Sequence, residues 1–120
     1  MVERKYSMKK ILLVLLSVLL VLTGCEKQQN ELDKIVEENN YVIVDVRNKD
    51  EYDTGHVKDS INIPVDTIDS NVSLDKNKTI IVYCRSGKRS ATAKQKLTEL
   101  GYKVYDLGAY ESITKFEKGA

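Results

Sequence analysis

A single cysteine followed by a basic, glycine-containing turn is the most chemically suggestive stretch of this chain. Cys84 closes the apolar run that begins at Thr79, and Arg85, Ser86, Gly87, Lys88 and Arg89 follow it directly. A thiolate is a strong nucleophile, and it forms readily only where its neighbours stabilise negative charge. With a helix starting near Arg89, the backbone N–H groups from Arg85 to Lys88 turn inward around the sulfur. Such a concave array, added to a helix N-terminus, favours an anion at its centre and hence a thiolate. Gly87 relieves the steric limits of so tight a turn. Between Asp75 and Glu99 the chain carries Lys76, Lys78, Arg85, Lys88, Arg89, Lys94 and Lys96 and no acid. A cationic island of that kind suits a small anionic substrate. The chemistry requires that the sulfur be reachable from solvent.

Other polar residues read as architecture. Asp45 and Arg47 end an apolar run of their own, and an acid beside a thiolate would oppose its ionisation. Arg47 with Glu51 makes the simplest structural ion pair. His56 is the only histidine; it follows Gly55 at a helix end, where an imidazole can bond the last carbonyls. A pre-formed thiolate needs no general base. One histidine and one available thiol make no metal site, and no cofactor is called for.

The elements that must position the cysteine are legible from periodicity. Tyr41 to Val46 is an almost unbroken β-branched run, the pattern of a strand covered on both faces. Ile61 to Ile63 is a second short strand, stopped by Pro64, the only proline. Thr79 to Tyr83 is a third, and Tyr102 to Tyr105 a fourth. Leu32, Ile35 and Val36 recur at helical spacing within Glu31 to Asn39. Asn48 to Thr54 is helix-compatible and closed by Gly55. Ala93, Leu97 and Leu100 define a helix after the cysteine, terminated by Gly101. Tyr110, Ile113 and Phe116 suggest a last helix, with the chain fraying from Lys118. Buried strands alternating with helices make an α/β domain with a mainly parallel sheet. In such sheets ligands bind beyond the carboxyl ends of the strands, where Cys84 stands.

The 120 residues suit one domain. Lys9 and Lys10 precede the apolar run Ile11 to Leu22, which is followed by Thr23, Gly24 and Cys25. Basic, then apolar, then small residues read as a secretory signal. Twelve helical residues reach about 18 Å, too short to cross a bilayer's hydrocarbon core. Leu22-Thr23-Gly24-Cys25 resembles the lipobox of bacterial lipoproteins. That resemblance implies a signal peptide over 1–24, lipid on the Cys25 thiol, a short tether over 25–30 and a domain over 31–120. The domain would then sit in the cell envelope outside the cytoplasm, held to a membrane by its lipid. Met8 is an alternative start, since Lys9 and Lys10 already complete the basic segment. Removing Arg4, Lys5, Lys9 and Lys10 against Glu3 from 19 basic and 18 acidic residues leaves 15 basic and 17 acidic. A slightly acidic domain argues against a nucleic-acid binder. With Cys25 lipidated, Cys84 is a lone thiol exported to an oxidising space, which must be buried or used.

Two known thiolate chemistries use a cradle of this kind. The cysteine phosphatase loop places an arginine after five intervening residues, which here falls on Ser90; the arginine is Arg89, and Tyr83 precedes the cysteine in place of the usual histidine. Phosphatase chemistry is therefore disfavoured. Cys84 to Arg89 instead resembles the active loop of rhodanese-type sulfurtransferases. "VIVDVRNKDEYDTGHVKDSINIP" (42–64) is similar to that family's first signature, through Asp45-Val46-Arg47, Glu51-Tyr52, Gly55-His56-Val57 and Asn62-Ile63-Pro64. "LTELGYKVYDLGAYESI" (97–113) is similar to its closing segment. The resemblance departs at Lys58-Asp59-Ser60, at Gly108-Ala109 and at Ile113, positions that shape packing more than chemistry.

This resemblance implies a rhodanese-like open parallel sheet of four or five strands with helices on both faces. The fifth would be the family's first strand, which falls over 26–30 where nothing apolar stands. It implies that Cys84 takes a sulfur from thiosulfate or a similar small anionic donor, carries it as a persulfide and yields it to cyanide or a thiol. Arg85, Ser86, Gly87, Lys88 and Arg89 would bind the donor, with Arg85 and Arg89 on its sulfonate oxygens. A monomer is expected. A non-catalytic sulfur carrier and a protein-binding module are the competing functions.

Overall fold

The computed structural model describes residues 29–120. The expected signal peptide, Cys25 and the first part of the tether lie outside the described residues. Helix α1 runs over 29–38, so residues 29 and 30, expected in the tether, are already helical. Glutamine is a good helix former, and nothing in that polar stretch interrupts a helix. Leu32, Ile35 and Val36 are its half-buried positions, and Asn39, at φ 50°, ends it.

Four strands form one wholly parallel sheet in the order β3 (Ile61–Asn62), β1 (Tyr41–Asp45), β4 (Thr79–Cys84), β5 (Lys103–Ala109). β1 and β4 are the inner strands and pair in register from Tyr41 opposite Thr79 to Asp45 opposite Tyr83. Alternation sorts their side chains onto two faces. Val44, Val46, Ile80, Val82 and Cys84 join one apolar cluster with Ala93 and Leu97. Those last two lie on the buried face of helix α3 (Lys88–Glu99), which Ser90 extends to its first turn. The helix ends as its sequence requires. Gly101, at φ +94°, sends its N–H to the Thr98 carbonyl (3.0 Å), and Tyr102 N–H bonds the Leu97 carbonyl (3.0 Å). That is the Schellman arrangement, for which glycine is the favoured residue.

Ile43, Asp45, Ile81 and Tyr83 point to the other face and are all buried. Helix α2 (Lys49–Thr54) leads there into β2 (His56–Val57), which pairs antiparallel with β6 (Lys118–Gly119). This corrects the expected fraying at Lys118. The helix expected from Tyr110, Ile113 and Phe116 is also absent: one 3-10 turn, Tyr110–Ser112, gives way to extended backbone at Ile113. Tyr110 stacks on Tyr83 with centroids 5.7 Å apart, and Phe116 lies 5.9 Å from Tyr41. The apolar spacing therefore serves a segment that runs back along the second face of the sheet.

β5 is longer than its apolar residues suggested. Val82 pairs with Asp106 but Tyr83 pairs with Gly108, so Leu107 is an extra residue in the ladder. Asp106 Oδ1 accepts the Gly108 N–H at 2.8 Å, and Gly108 takes φ +81°. A bulge of that kind bends the strand and carries it past the polar residues, up beside Cys84.

Candidate active site

Cys84 is the last residue of an inner strand, and the chain must turn sharply there to start α3. Gly87 makes the turn at φ +96°, ψ −10°, directly before the helix. A Cβ there would stand 3.7 Å from Gly108 Cα, an ordinary contact, so the positive φ and not a lack of space calls for glycine. A glycine N-cap has no side chain to receive the first helical N–H groups. The Cys84 sulfur takes that place. Gly87 N–H donates to Sγ at 3.0 Å and Ser90 N–H at 3.2 Å. The aligned peptide dipoles of α3 add their positive end at the same point.

The amides differ in part from those expected. Of Arg85 to Lys88, Gly87 bonds the sulfur, while Lys88 N–H turns to Ser86 Oγ at 3.4 Å. The second donor is Ser90, three residues into the count from Gly87. Its hydroxyl bonds the Gly87 carbonyl at 3.1 Å and locks the turn. Solvent reach also differs from expectation. Cys84 is 0% exposed: it pairs with Ala109 of β5 and belongs to the apolar cluster that holds Val82, Ala93 and Leu97.

The basic residues of the loop have separate fates. Arg85, Ser86 and Lys88 are exposed, and the charged side chains of Arg85 and Lys88 make no ion pair among the described residues. Arg89 is half-buried and bound fork to fork by Glu51, with Nη1 2.7 Å from Oε1 and Nη2 3.0 Å from Oε2. This overturns the expected Arg47–Glu51 pair. Glu51 stands in the first turn of α2 and caps it, accepting the Asn48 N–H on Oε1 at 3.3 Å. The Arg89 hydrogen bonds hold the Glu51 carboxyl down at about 2; burial opposes them, while the Asn48 N–H and the charges of Arg89 and Arg47 assist. Arg89 is raised in turn, chiefly by Glu51 and with a smaller share from the charge of Cys84. Lys76 and Lys78 precede β4 (Thr79–Cys84), so about 20 Å of chain or more separates them from Cys84. Lys96 donates to the Val65 carbonyl at 3.1 Å, farther along α3. The cationic island of the sequence is thus a smaller cluster at the loop.

Arg47 turns back on Asp45, two residues away and so on the same face of extended chain. Its Nη2 lies 2.7 Å from Asp45 Oδ2 and 2.6 Å from the Gly55 carbonyl, and both side chains are buried. Burial alone would lower the Arg47 guanidinium, but the bonds and charge of Asp45 outweigh it and raise it. The Tyr110 ring centroid lies 4.5 Å from its Cζ. Tyr83, pointing away from the sulfur, accepts the Val57 N–H on its hydroxyl at 2.9 Å. Its burial is the main cause that pushes that phenol up to about 12. His56 Nδ1 reaches the Tyr52 carbonyl at 2.8 Å, and the two rings stack at 3.8 Å. The histidine secures the end of α2.

Two residues that sequence reading missed therefore shape the site, Ser90 and Glu51. The spacing Asn48-x-x-Glu51 is a capping-box signal and was available in the sequence. The contact of Glu51 with Arg89, 38 positions away, was not.

The class defined by this architecture is an α/β domain with a free cysteine beneath a helix N-terminus, at the end of an inner parallel strand. Within it, residues 28–115 match the model of the rhodanese-like domain, and the chain belongs to that family. It is 40% identical over 62 residues to the thiosulfate sulfurtransferase PspE of Escherichia coli, covering 49% of this chain and 60% of that protein. It is 33% identical over 91 residues to the thiosulfate sulfurtransferase GlpE of Coxiella burnetii, covering 72% of this chain and 85% of the other. A solved E. coli structure described as a rhodanese with anions superposes with a TM-score of 0.59 at 34% identity, over 66% of this chain and 96% of that one.

Proposed function

We propose that this chain is a sulfurtransferase that moves a sulfane sulfur from thiosulfate, or a similar small anion, to a thiophilic acceptor through Cys84. The observation that carries the proposal is the pair of N–H groups, from Gly87 and Ser90, aimed at one sulfur at 3.0 and 3.2 Å. Two fixed donors and a helix dipole stabilise negative charge on that atom before any substrate arrives. The family and the named relatives support the reaction class.

The chemistry runs in two balanced steps. The Cys84 thiolate attacks the outer sulfur of thiosulfate; an S–S bond forms as the donor's S–S bond breaks, and its electron pair leaves on sulfite. The terminal persulfide sulfur carries the negative charge. Cyanide or a thiolate then attacks that outer sulfur, leaving as thiocyanate or a new persulfide and restoring the Cys84 thiolate. Covalent catalysis of this kind predicts ping-pong kinetics. Arg85 and Lys88, exposed beside the loop, supply charge for the incoming dianion. Because Cys84 is 0% exposed, the packing around its sulfur must open to admit the donor.

That same burial supports a second reading, a sulfur carrier whose persulfide is shielded until a partner collects it. Phosphatase chemistry stays disfavoured, since Ser90 stands where the phosphate-clamping arginine would be and the neighbouring Arg89 guanidinium is held by Glu51. The lipobox-like Leu22 to Cys25 supports attachment to a membrane by lipid on Cys25, in the extracytoplasmic envelope, and the protein is proposed to act as a monomer. Thiosulfate with cyanide should yield sulfite and thiocyanate, and thiosulfate alone should add one sulfur atom to Cys84 by mass spectrometry. Cys84→Ser should abolish both. Persulfide without turnover would select the carrier, and an unchanged mass would eliminate both readings.

A further inference from the structure

The most informative side chain at the loop is one that the sulfur chemistry leaves aside. Arg89 is the second residue of α3, next to Ser90, whose N–H reaches Cys84 Sγ. Two acceptors therefore stand near its position, the Cys84 sulfur that the neighbouring Ser90 N–H reaches and the Glu51 carboxylate. Glu51 holds it, through both terminal nitrogens. The carboxylate is itself fixed by the Asn48 N–H at the start of α2. Arg47, the other cation acting on Glu51, is committed to Asp45 and the Gly55 carbonyl and does not compete. A fork-to-fork pair occupies the guanidinium edge that would otherwise bind a sulfonate. Arg85 and Lys88, by contrast, are exposed and unpaired among the described residues.

We infer that Glu51 is a positioning residue of the sulfur site: by holding both terminal nitrogens of Arg89, it keeps that guanidinium off Cys84 and leaves recognition of an anionic donor to Arg85 and Lys88. The donor in this statement rests on the sulfurtransferase reading; the charge geometry does not. Released, Arg89 would pair with the thiolate or with the persulfide. A thiolate stabilised in that way is a weaker nucleophile, although the extra cation draws anions in more strongly.

The test compares the full-length chain with Arg85→Gln, Glu51→Gln and the double variant Glu51→Gln with Arg89→Gln. Glutamine at position 51 keeps an acceptor for the Asn48 N–H, so the cap survives. Two readouts are taken: kcat and KM for thiosulfate with cyanide, and the rate of Cys84 alkylation by iodoacetate relative to iodoacetamide. The probe ratio senses charge at the sulfur without any sulfur transfer. Arg85→Gln should raise KM about tenfold and lower the probe ratio, as loss of a charge-assisted hydrogen bond does. Glu51→Gln should lower both KM and kcat and raise the probe ratio. In the double variant, KM and the ratio should return to within about twofold of the parent, since a neutral pair has been removed, while kcat stays reduced because α3 is less firmly tied. A double variant that loses affinity as Arg85→Gln does would mean that Arg89 grips the donor, and the inference would be overturned. A Glu51→Gln chain unchanged in every readout would overturn it too. If the parent turns over no thiosulfate, the sulfurtransferase reading fails by itself, and the probe ratio still decides the role of Glu51.

Discussion

Two arginine–carboxylate pairs stand near the carboxyl ends of the inner strands, and they do different work. Asp45–Arg47 is local in sequence and almost wholly buried, with three further partners: the Gly55 carbonyl and the rings of Tyr110 and Tyr83. Glu51–Arg89 is distant in sequence, partly open to solvent, and joins the first turn of α2 to the first turn of α3. The buried pair satisfies charges that the fold has enclosed. The open pair fixes the direction of a cation at the loop that surrounds the Cys84 sulfur. Desolvation explains the contrast: a buried charge that loses its partner has no water to fall back on, whereas a half-exposed one does.

The sharpest way to break this contrast is to remove the buried cation. Arg47→Ala should cost about 3–5 kcal/mol of stability, because it leaves the Asp45 carboxylate buried with only backbone support. Urea unfolding measures it. A loss under about 1 kcal/mol would place Asp45–Arg47 in the same class as an exposed pair.

A second, smaller effect sharpens the comparison by testing whether the loop depends on backbone where the other end depends on side chains. Gly87→Ala meets no clash, yet it forces a Cβ onto φ +96°. The strain should cost about 1–2 kcal/mol. Relaxing it would swing the Gly87 N–H off the sulfur, so thiosulfate turnover should fall about a hundredfold, the range for losing one fixed donor to a developing charge. Full activity in that variant would show that the Gly87 donor is dispensable.

These two regions also mark what the sequence makes legible. The inner strands announce themselves through β-branched runs, because burial on both faces demands it. Gly101 marks the end of α3 through its left-handed conformation, and Cys84 stands at a strand end as its neighbours imply. The extension of β5 was hidden because Asp106 and Gly108 look like loop residues; the bulge at Leu107 that admits them depends on pairing with β4. Tyr110, Ile113 and Phe116 have helical spacing, yet an extended segment laid across a sheet uses the same residues. The partner of Glu51 was hidden for a related reason. Ion pairs across 38 residues follow from how helices dock, and local chemistry favoured the nearer Arg47.

The smallest expected effect separates the two pairs by acid. Folded, Glu51 ionises at about 2 against an ordinary 4.5, with the Arg89 hydrogen bonds as the largest cause. A carboxyl lowered on folding binds fewer protons in the folded state than in the unfolded state between those values, so stability falls as the solution is acidified. Its contribution is complete above about pH 4.5 and is lost as the pH drops through 2. Partial exposure limits the charge interaction to about 1 kcal/mol or less. Urea unfolding of the parent and of Glu51→Gln should therefore differ by a small constant amount near neutrality, with the gap closing between pH 4.5 and 2. A gap that persists at pH 2 would assign the loss to packing or to the cap of α2. A gap that closes already above pH 5 would mean that Arg89 does not hold Glu51 in its ionised form, and the open pair would then have no claim to direct that guanidinium away from the sulfur.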